Sequence, residues 1–419
     1  MNIMRADNII AAPPHLIKTD KKSLLVRLFV LLMIASIPPF YFWSLSSIVY
    51  FVSFVGFLFF GLWEKPQNSY RRISLFLFIL FYFYVSFNIY EDFNFLGYLW
   101  QGFRLFLTVS IFFIGCESWA KIYKFFLIIY TITLIPSLLV YFLAVWGGVD
   151  LPHTFIPPLN KIKDYGYIAY PFMVISDRFE NFRFCGYYDE PGVIGNLSGV
   201  LLIVNKCNMR DWKNWVLLAS GIFSFSLFFY VLISLYLLLF GKTKVRISLA
   251  VLIGLAITYI ANSDNVFSNL ILARIEMGDD GSFVGDNRTI ASFDYFYDKF
   301  LHSDKLWFGY GHLYSTLVVD TGGQSYKHLI VDYGIIMSIL YVVAFFFYYL
   351  SYNISKKNLC FLLMILLSIL YQRPFITYLV YLFLMISPAA MVKTTFEKIP
   401  SKKKQISKSK ISNNDCYVE

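Results

Sequence analysis

Long apolar runs separated by short polar connections set the pattern of this chain. They fall at 24–42, 45–63, 73–90, 97–116, 122–146, 190–205, 215–240, 247–262, 328–350, 359–372 and 375–392. The pattern predicts helices in a bilayer, because only a closed ladder of internal hydrogen bonds satisfies the backbone there. The run from Trp215 to Phe240 differs from the others. At ~1.5 Å per residue it makes ~39 Å of helix against a hydrocarbon core of ~30 Å, so it is either one steeply tilted span or two short arms.

Charge decides between them, since cytoplasmic connections collect Lys and Arg. Lys65, Arg71 and Arg72 follow the second run, Lys121 and Lys124 bracket the start of the fifth, and Lys206, Arg210 and Lys213 follow the sixth. Lys242, Lys244 and Arg246 follow the 215–240 run, so both of its ends carry the cytoplasmic signature. A segment of that kind must enter and return, with a break expected near Ser224 to Ser226. Twelve membrane segments result, with both termini cytoplasmic.

The expected layout is a cytoplasmic segment at 1–23, segments one to five over 24–146, a periplasmic loop at 147–189, segments six to nine over 190–262, a second periplasmic loop at 263–327, segments ten to twelve over 328–392 and a basic tail at 393–419. The second loop has the residue mix of short amphipathic helices, as across 290–301. No small-residue cleavage site follows the first run, so that run is expected to stay as an anchor.

Composition agrees: 58% of the 419 residues are hydrophobic and only 15% charged, against about 45–50% and about 25% in soluble domains. The net charge of +10 would point to a nucleic-acid partner in a soluble chain. Here most of it is a topology signal, and no nucleic-acid partner is expected. The five cysteines have no ligand spacing and are read as core thiols.

Some basic residues stand outside the cytoplasmic segments, among them Arg104, Arg183, Arg274, Arg288, Lys327 and Arg373. Kept against the topological bias, they are candidates for an anionic ligand. Arg104 lies within a span, where it either faces a cavity or snorkels to the interface. The densest cluster is Arg183-Phe-Cys-Gly186-Tyr-Tyr-Asp189-Glu190-Pro191-Gly192-Val-Ile-Gly195-Asn196. Pro191 suits a first helical turn, which puts Glu190 at the positive end of a helix, and Gly195 and Gly199 allow close helix approach. A plain helix cap with a nearby salt bridge is the alternative reading. A second cluster holds Asp286-Asn287-Arg288, Trp307-Phe308-Gly309-Tyr310-Gly311-His312, Lys327-His328 and Asp332-Tyr333-Gly334. Its Gly-x-Gly follows no strand, which excludes a dinucleotide fold, and its histidines lack a zinc spacing.

The order of these motifs resembles the Wzy-type polymerases of bacterial O-antigen and capsule repeat units. The likeness rests on Arg-x-x-Gly-x-x-x-Glu-Pro-Gly at 183–192, Asn-Arg at 287–288, aromatic-Gly-x-Gly at 308–311, Ser325 before a span with Asp-x-Gly, and Gln-Arg-Pro at 372–374. It implies an all-α polytopic membrane protein with a GT-C-like glycosyltransferase bundle of about 12 transmembrane segments, placed in the bacterial inner membrane. It also implies a metal-independent enzyme without cofactor, acting on undecaprenyl-pyrophosphate-linked oligosaccharide in membrane lipid, with a chain-length regulator and a flippase as partners. O-antigen ligases are similar too, but they typically carry a histidine about eleven residues before the glycine that here is Gly334, where this chain has Gly323. A lipid-linked oligosaccharide flippase is the alternative of another class, and it would be expected to show paired repeats.

Arginine suits a departing pyrophosphate through permanent charge and forked hydrogen bonds. Arg183 and Arg288 are the leading ligands, followed by Arg104 and Arg373. Glu190 is the candidate general base, with His328 second.

Overall fold

The computed structural model describes residues 65–66, 68–90, 108–157, 166–177, 182–248, 291–318 and 325–396, with scattered positions at 24–34, 98–106 and 250–258. The run at 45–63, most of those at 24–42 and 247–262, part of that at 97–116, and the basic tail beyond residue 396 lie outside the described residues, as do Arg104, Arg274 and Arg288.

The described chain is mostly helical. Helix α1 (Ser69–Phe87) starts at Asn68, whose side chain accepts the Arg71 N–H at 2.9 Å and donates to the Ser351 carbonyl at 2.6 Å. The Arg71 guanidinium lies 4.0 Å from the Tyr348 ring and donates to the Phe112 and Ile114 carbonyls. One cation thereby ties together the start of α1, the end of a later helix and the turn that enters α2 (Cys116–Tyr141). Helix α2 continues through a wider turn, Phe142–Trp146, so its apolar length reaches 31 residues.

A three-stranded antiparallel sheet, β1 (Thr154–Ile156), β2 (Tyr167–Tyr170) and β3 (Met173–Ser176), occupies the expected first loop. The all-helical expectation did not include it. The β2–β3 register closes on Tyr170 opposite Met173.

Helix α3 (Pro191–Val204) opens at proline, as the sequence predicts. The long apolar run is split: α4 spans Trp212–Phe223, α5 spans Leu227–Phe240, and the chain turns at Ser224–Ser226. Asn205 at the foot of α3 donates to Asn214 near the start of α4 (3.0 Å), while a Cβ on Gly195 near the top of α3 would lie 2.3 Å from the Ser226 Cβ. The two arms therefore rise and return beside α3, and the smallness of Gly195 and Gly221 is what lets the tip close.

Then come α6 (Ala291–Leu301), within the range expected for an amphipathic helix, the single turn α7 (Tyr314–Leu317), α8 (Tyr326–Leu350), α9 (Lys356–Gln372) and α10 (Leu379–Met391). Every residue of α10 is buried, which suits a helix apolar on all sides. It packs against α2, α3 and α9, with Phe383 among Trp119, Tyr123 and Phe126.

Around this centre the outer helices expose apolar stripes: Phe76, Ile79 and Phe83 on α1, and Ile128, Ile132, Ile135 and Leu139 on α2. Helices α1, α2 with its extension, and α8 are long and apolar enough to cross a membrane. Helices α3, α5 and α10 are apolar but shorter.

The bundle has two ends of different character. At one end Lys206, just past α3, is an exposed residue beside Lys357 of α9, and its ammonium is held below its ordinary pKa by partial desolvation and by that neighbouring charge. Asn68 and Arg71 lie near the same ends of α1 and α8. The other end gathers the sheet, the hairpin tip, the top of α3 and the segment 302–318.

Candidate functional site

The motif at 183–192 folds as a descending loop followed by a helix start. Tyr141 donates to the Phe182 carbonyl, and the Phe184 N–H donates to the Phe223 carbonyl at 2.8 Å. Gly186 takes a positive φ of 57° and packs near Leu134. Glu190 then sits in extended backbone as the N-cap of α3, with Pro191 in the first turn.

The Glu190 side chain does not cap its own helix. It accepts from the Arg373 guanidinium, which stands at the C-cap of α9 ahead of Pro374. Arg373 lies against Gly192: a Cβ there would be 2.9 Å from its Nη2. Tyr381 and Asp189 are close enough to interact electrostatically with the guanidinium. Gln372, the residue before, accepts from Asn196 Nδ2 at 3.2 Å, and Asn196 Oδ1 is buried without a protein hydrogen-bond partner.

Arg183 reaches the hairpin tip. Its Nε donates to the Ser224 carbonyl at 3.1 Å and its Nη2 to the Phe225 carbonyl at 3.4 Å, where α4 ends. A cation there complements the exposed carbonyls of a helix C-terminus. Ser226 of the same tip packs on Gly195, three residues along α3 from Gly192, a rise of roughly 4.5 Å. The structure thus brings Arg183, Glu190 and Arg373 to one end of α3.

His328 belongs to a neighbouring constellation. It is buried in the first turn of α8, where Nδ1 accepts the Ser325 N–H at 3.1 Å and the ring stacks on Phe293 of α6 at 4.9 Å. Among the described residues its Nε2 has no hydrogen-bond partner. Lys327 pairs with Asp294 at 2.6 Å, and Tyr326 stacks on Tyr371 at 5.3 Å, two residues before Arg373. Of the predicted residues, Arg288 and Arg104 lie outside the described part of the chain.

The two glycine-bearing motifs of the second cluster pack on each other. Gly334 breaks α8 with φ 72°, and the irregular stretch 307–312 packs into the break. The Tyr310 N–H donates to the Val331 carbonyl (2.9 Å), the Gly311 N–H to Asp332 (3.0 Å), and the Ile336 N–H to Trp307 (3.1 Å). A Cβ on Gly309 or Gly334 would lie 2.3 or 2.4 Å from opposing backbone. The Asp332 carboxylate accepts the Ser315 N–H at 2.8 Å.

Sequence reasoning placed Asn196 at the end of the first cluster without giving it a role, and it did not pair Lys327 with Asp294. Nothing in the spacing pairs residue 327 with residue 294.

Comparisons of the chain with protein-family models and with characterised proteins, and of its fold with solved structures, give no match. What is established is that the described residues are mostly helical, with three helices among them long and apolar enough to cross a membrane and a polar, charged cluster at one end of the bundle.

Proposed function

We propose that the chain is a polytopic inner-membrane glycosyltransferase that polymerises oligosaccharide repeat units carried on undecaprenyl pyrophosphate. The observation that carries this reading is the convergence of Glu190, Arg373 and Arg183 at the top of α3. The order of sequence motifs supports it independently.

In this reaction the acceptor hydroxyl oxygen bonds to the anomeric carbon of the donor glycan. The carbon–oxygen bond to the lipid pyrophosphate breaks, and its electron pair leaves with the pyrophosphate. Charge grows on that leaving group, and arginines facing it stabilise the transition state more than the ground state. Arg373 and Arg183 serve this role, with Arg288 as the third cation. The Glu190 carboxylate holds Arg373 in place until the incoming pyrophosphate engages the guanidinium. Glu190 is then available to take the hydroxyl proton, with His328 as the second candidate.

In the twelve-segment topology, the Lys206–Lys357 end is cytoplasmic and the α3 entrance periplasmic. The Ser224–Ser226 tip then reaches the outer side, as both basic flanks of the hairpin require.

The test is reconstitution of the purified chain with lipid-linked repeat unit. Polymer should form, and Arg183→Ala and Arg288→Ala should each abolish it while leaving the amount of membrane protein unchanged. Normal long-chain product in both variants would sink the proposal. In cells, loss of function should leave single repeat units on the acceptor lipid; free lipid-linked polymer would indicate a ligase instead.

A further inference from the structure

We infer that the β2–β3 turn, Tyr170-Pro171-Phe172-Met173, is inserted among the acyl chains of the outer leaflet, with Phe172 as its contact to lipid. The inference is independent of the glycosyltransferase reading and needs that α2 crosses the membrane with its Lys121–Lys124 end on the cytoplasmic side.

The depth follows from one hydrogen bond. Ser137 Oγ donates to the Phe172 carbonyl at 2.6 Å. Ser137 lies about nine residues before Trp146, the last residue of the apolar helix, which is ~13 Å along the axis. Lys121 and Lys124 mark the other boundary, and no charged residue stands between Phe125 and Val149. A hydrocarbon core of ~30 Å counted up from Phe125 ends about twenty residues later, near Val145. Trp146 is then at the interface, where tryptophan is favoured. The turn contacts α2 well below it, at the level of the exposed Leu139.

The turn is suited to that place. Phe172 is 47% exposed and Pro171 is exposed as well, whereas Met173, Val174 and Ile175 behind them are buried. Backbone polar groups must be satisfied in hydrocarbon. Proline contributes no N–H, Tyr170 and Met173 face each other in the ladder, and the Phe172 carbonyl is taken by Ser137. Phe172 also holds a φ of 69°. Proline followed by a positive φ is the pattern of a type II turn, whose third position favours glycine. A bulky aromatic there is strained, and an outward-facing phenylalanine offsets that strain only if something apolar covers it. Acyl chains at this depth are the occupant that the uncharged, lipid-facing surface of α2 already implies.

The test places the photo-crosslinking analogue p-benzoylphenylalanine at position 172, and in parallel at the exposed Asp150, in the full chain held in phospholipid vesicles. After illumination, the peptide containing position 172 should carry a phospholipid adduct by mass spectrometry, at least tenfold more than the peptide containing position 150. Adducts only to protein at 172, no adduct at 172, or equal lipid adducts at both positions would each overturn the inference. Glycan synthesis is not read out, so failure of the polymerase reading leaves this result unaffected.

Discussion

Arg373 and Glu190, 183 residues apart in sequence, form an ion pair that joins the end of α9 to the first turn of α3. The pair is only partly shielded, with side-chain exposures of 16% and 36%. It therefore falls between the near-zero value of a surface bridge and the ~3–5 kcal/mol lost on breaking a buried one. In a double-mutant cycle of Arg373→Ala and Glu190→Gln, thermal unfolding in detergent should give a coupling of about 1–3 kcal/mol. A coupling indistinguishable from zero would remove the pair from the account. On the proposed polymerase function, Arg373→Lys should not support long-chain product, because an ammonium cannot reproduce the guanidinium fork.

Two glycines of α3 should respond differently to alanine. At Gly195 the new methyl would meet the Ser226 Cβ at 2.3 Å and force the hairpin tip away, a cost of about 1–3 kcal/mol from overpacking. At Gly192 it would meet only the end of a flexible arginine side chain, at 2.9 Å. Gly192→Ala should therefore keep near-normal thermal stability while displacing Arg373 and, on the proposed function, lowering polymer formation at least tenfold. Equal unfolding temperatures for the two variants would contradict this packing.

Gly334→Ala should be the most damaging single methyl among these. The residue combines φ 72° with a Cβ position 2.4 Å from the Phe308 nitrogen and the Trp307 carbonyl. Conformational strain and backbone collision together cost about 3 kcal/mol or more. Loss of folded protein on size-exclusion chromatography is the expected result, and a monodisperse variant of unchanged stability would show that the α8 break tolerates a side chain.

Cys207 gives a pH-dependent readout on the turn between α3 and α4. Burial pushes its thiol from 9.0 up to about 12. At pH 8.5 an ordinary thiol is about one-quarter thiolate, while Cys207 falls below about one in a thousand, and the thiolate is the reacting species. Alkylation of the folded chain there should be roughly a hundredfold or more slower than in the unfolded chain. The folded state keeps a proton that the unfolded state loses, so this group's contribution to stability is fully present below pH 9 and disappears as pH rises from about 9 to about 12. Equal alkylation rates before and after denaturation would refute the buried placement.

Local chemistry made part of this architecture readable in advance. Pro191 announces the start of α3, and the basic residues at both ends of 215–240 require the turn that the structure places at Ser224–Ser226. Each signal lies within a few residues of the feature it predicts. The sheet at 154–176 was not read, because strands of three and four residues give too little alternation to stand out in a loop. The break in α8 was missed for another reason. Gly334 sits inside an apolar run, and its conformation is imposed by the 307–312 segment packing on it. Glu190 and Arg373 were each chosen for their chemistry, but their pairing depends on how α9 and α3 meet. Hydropathy and charge order carry no information on that contact.

The complete burial of α10 also bears on the order of assembly. Helices emerge from the ribosome in sequence, and α1 through α9 are made before the helix that fills the space between α2, α3 and α9. Until then, Phe126, Trp119 and the inner face of α3 lack their partner surface. The earlier helices therefore lack this packing until α10 is made, and closure of the bundle is a late step in assembly. Mutations in α10 are expected to act by delaying that closure, lowering the yield of mature protein before any effect on chemistry can be seen.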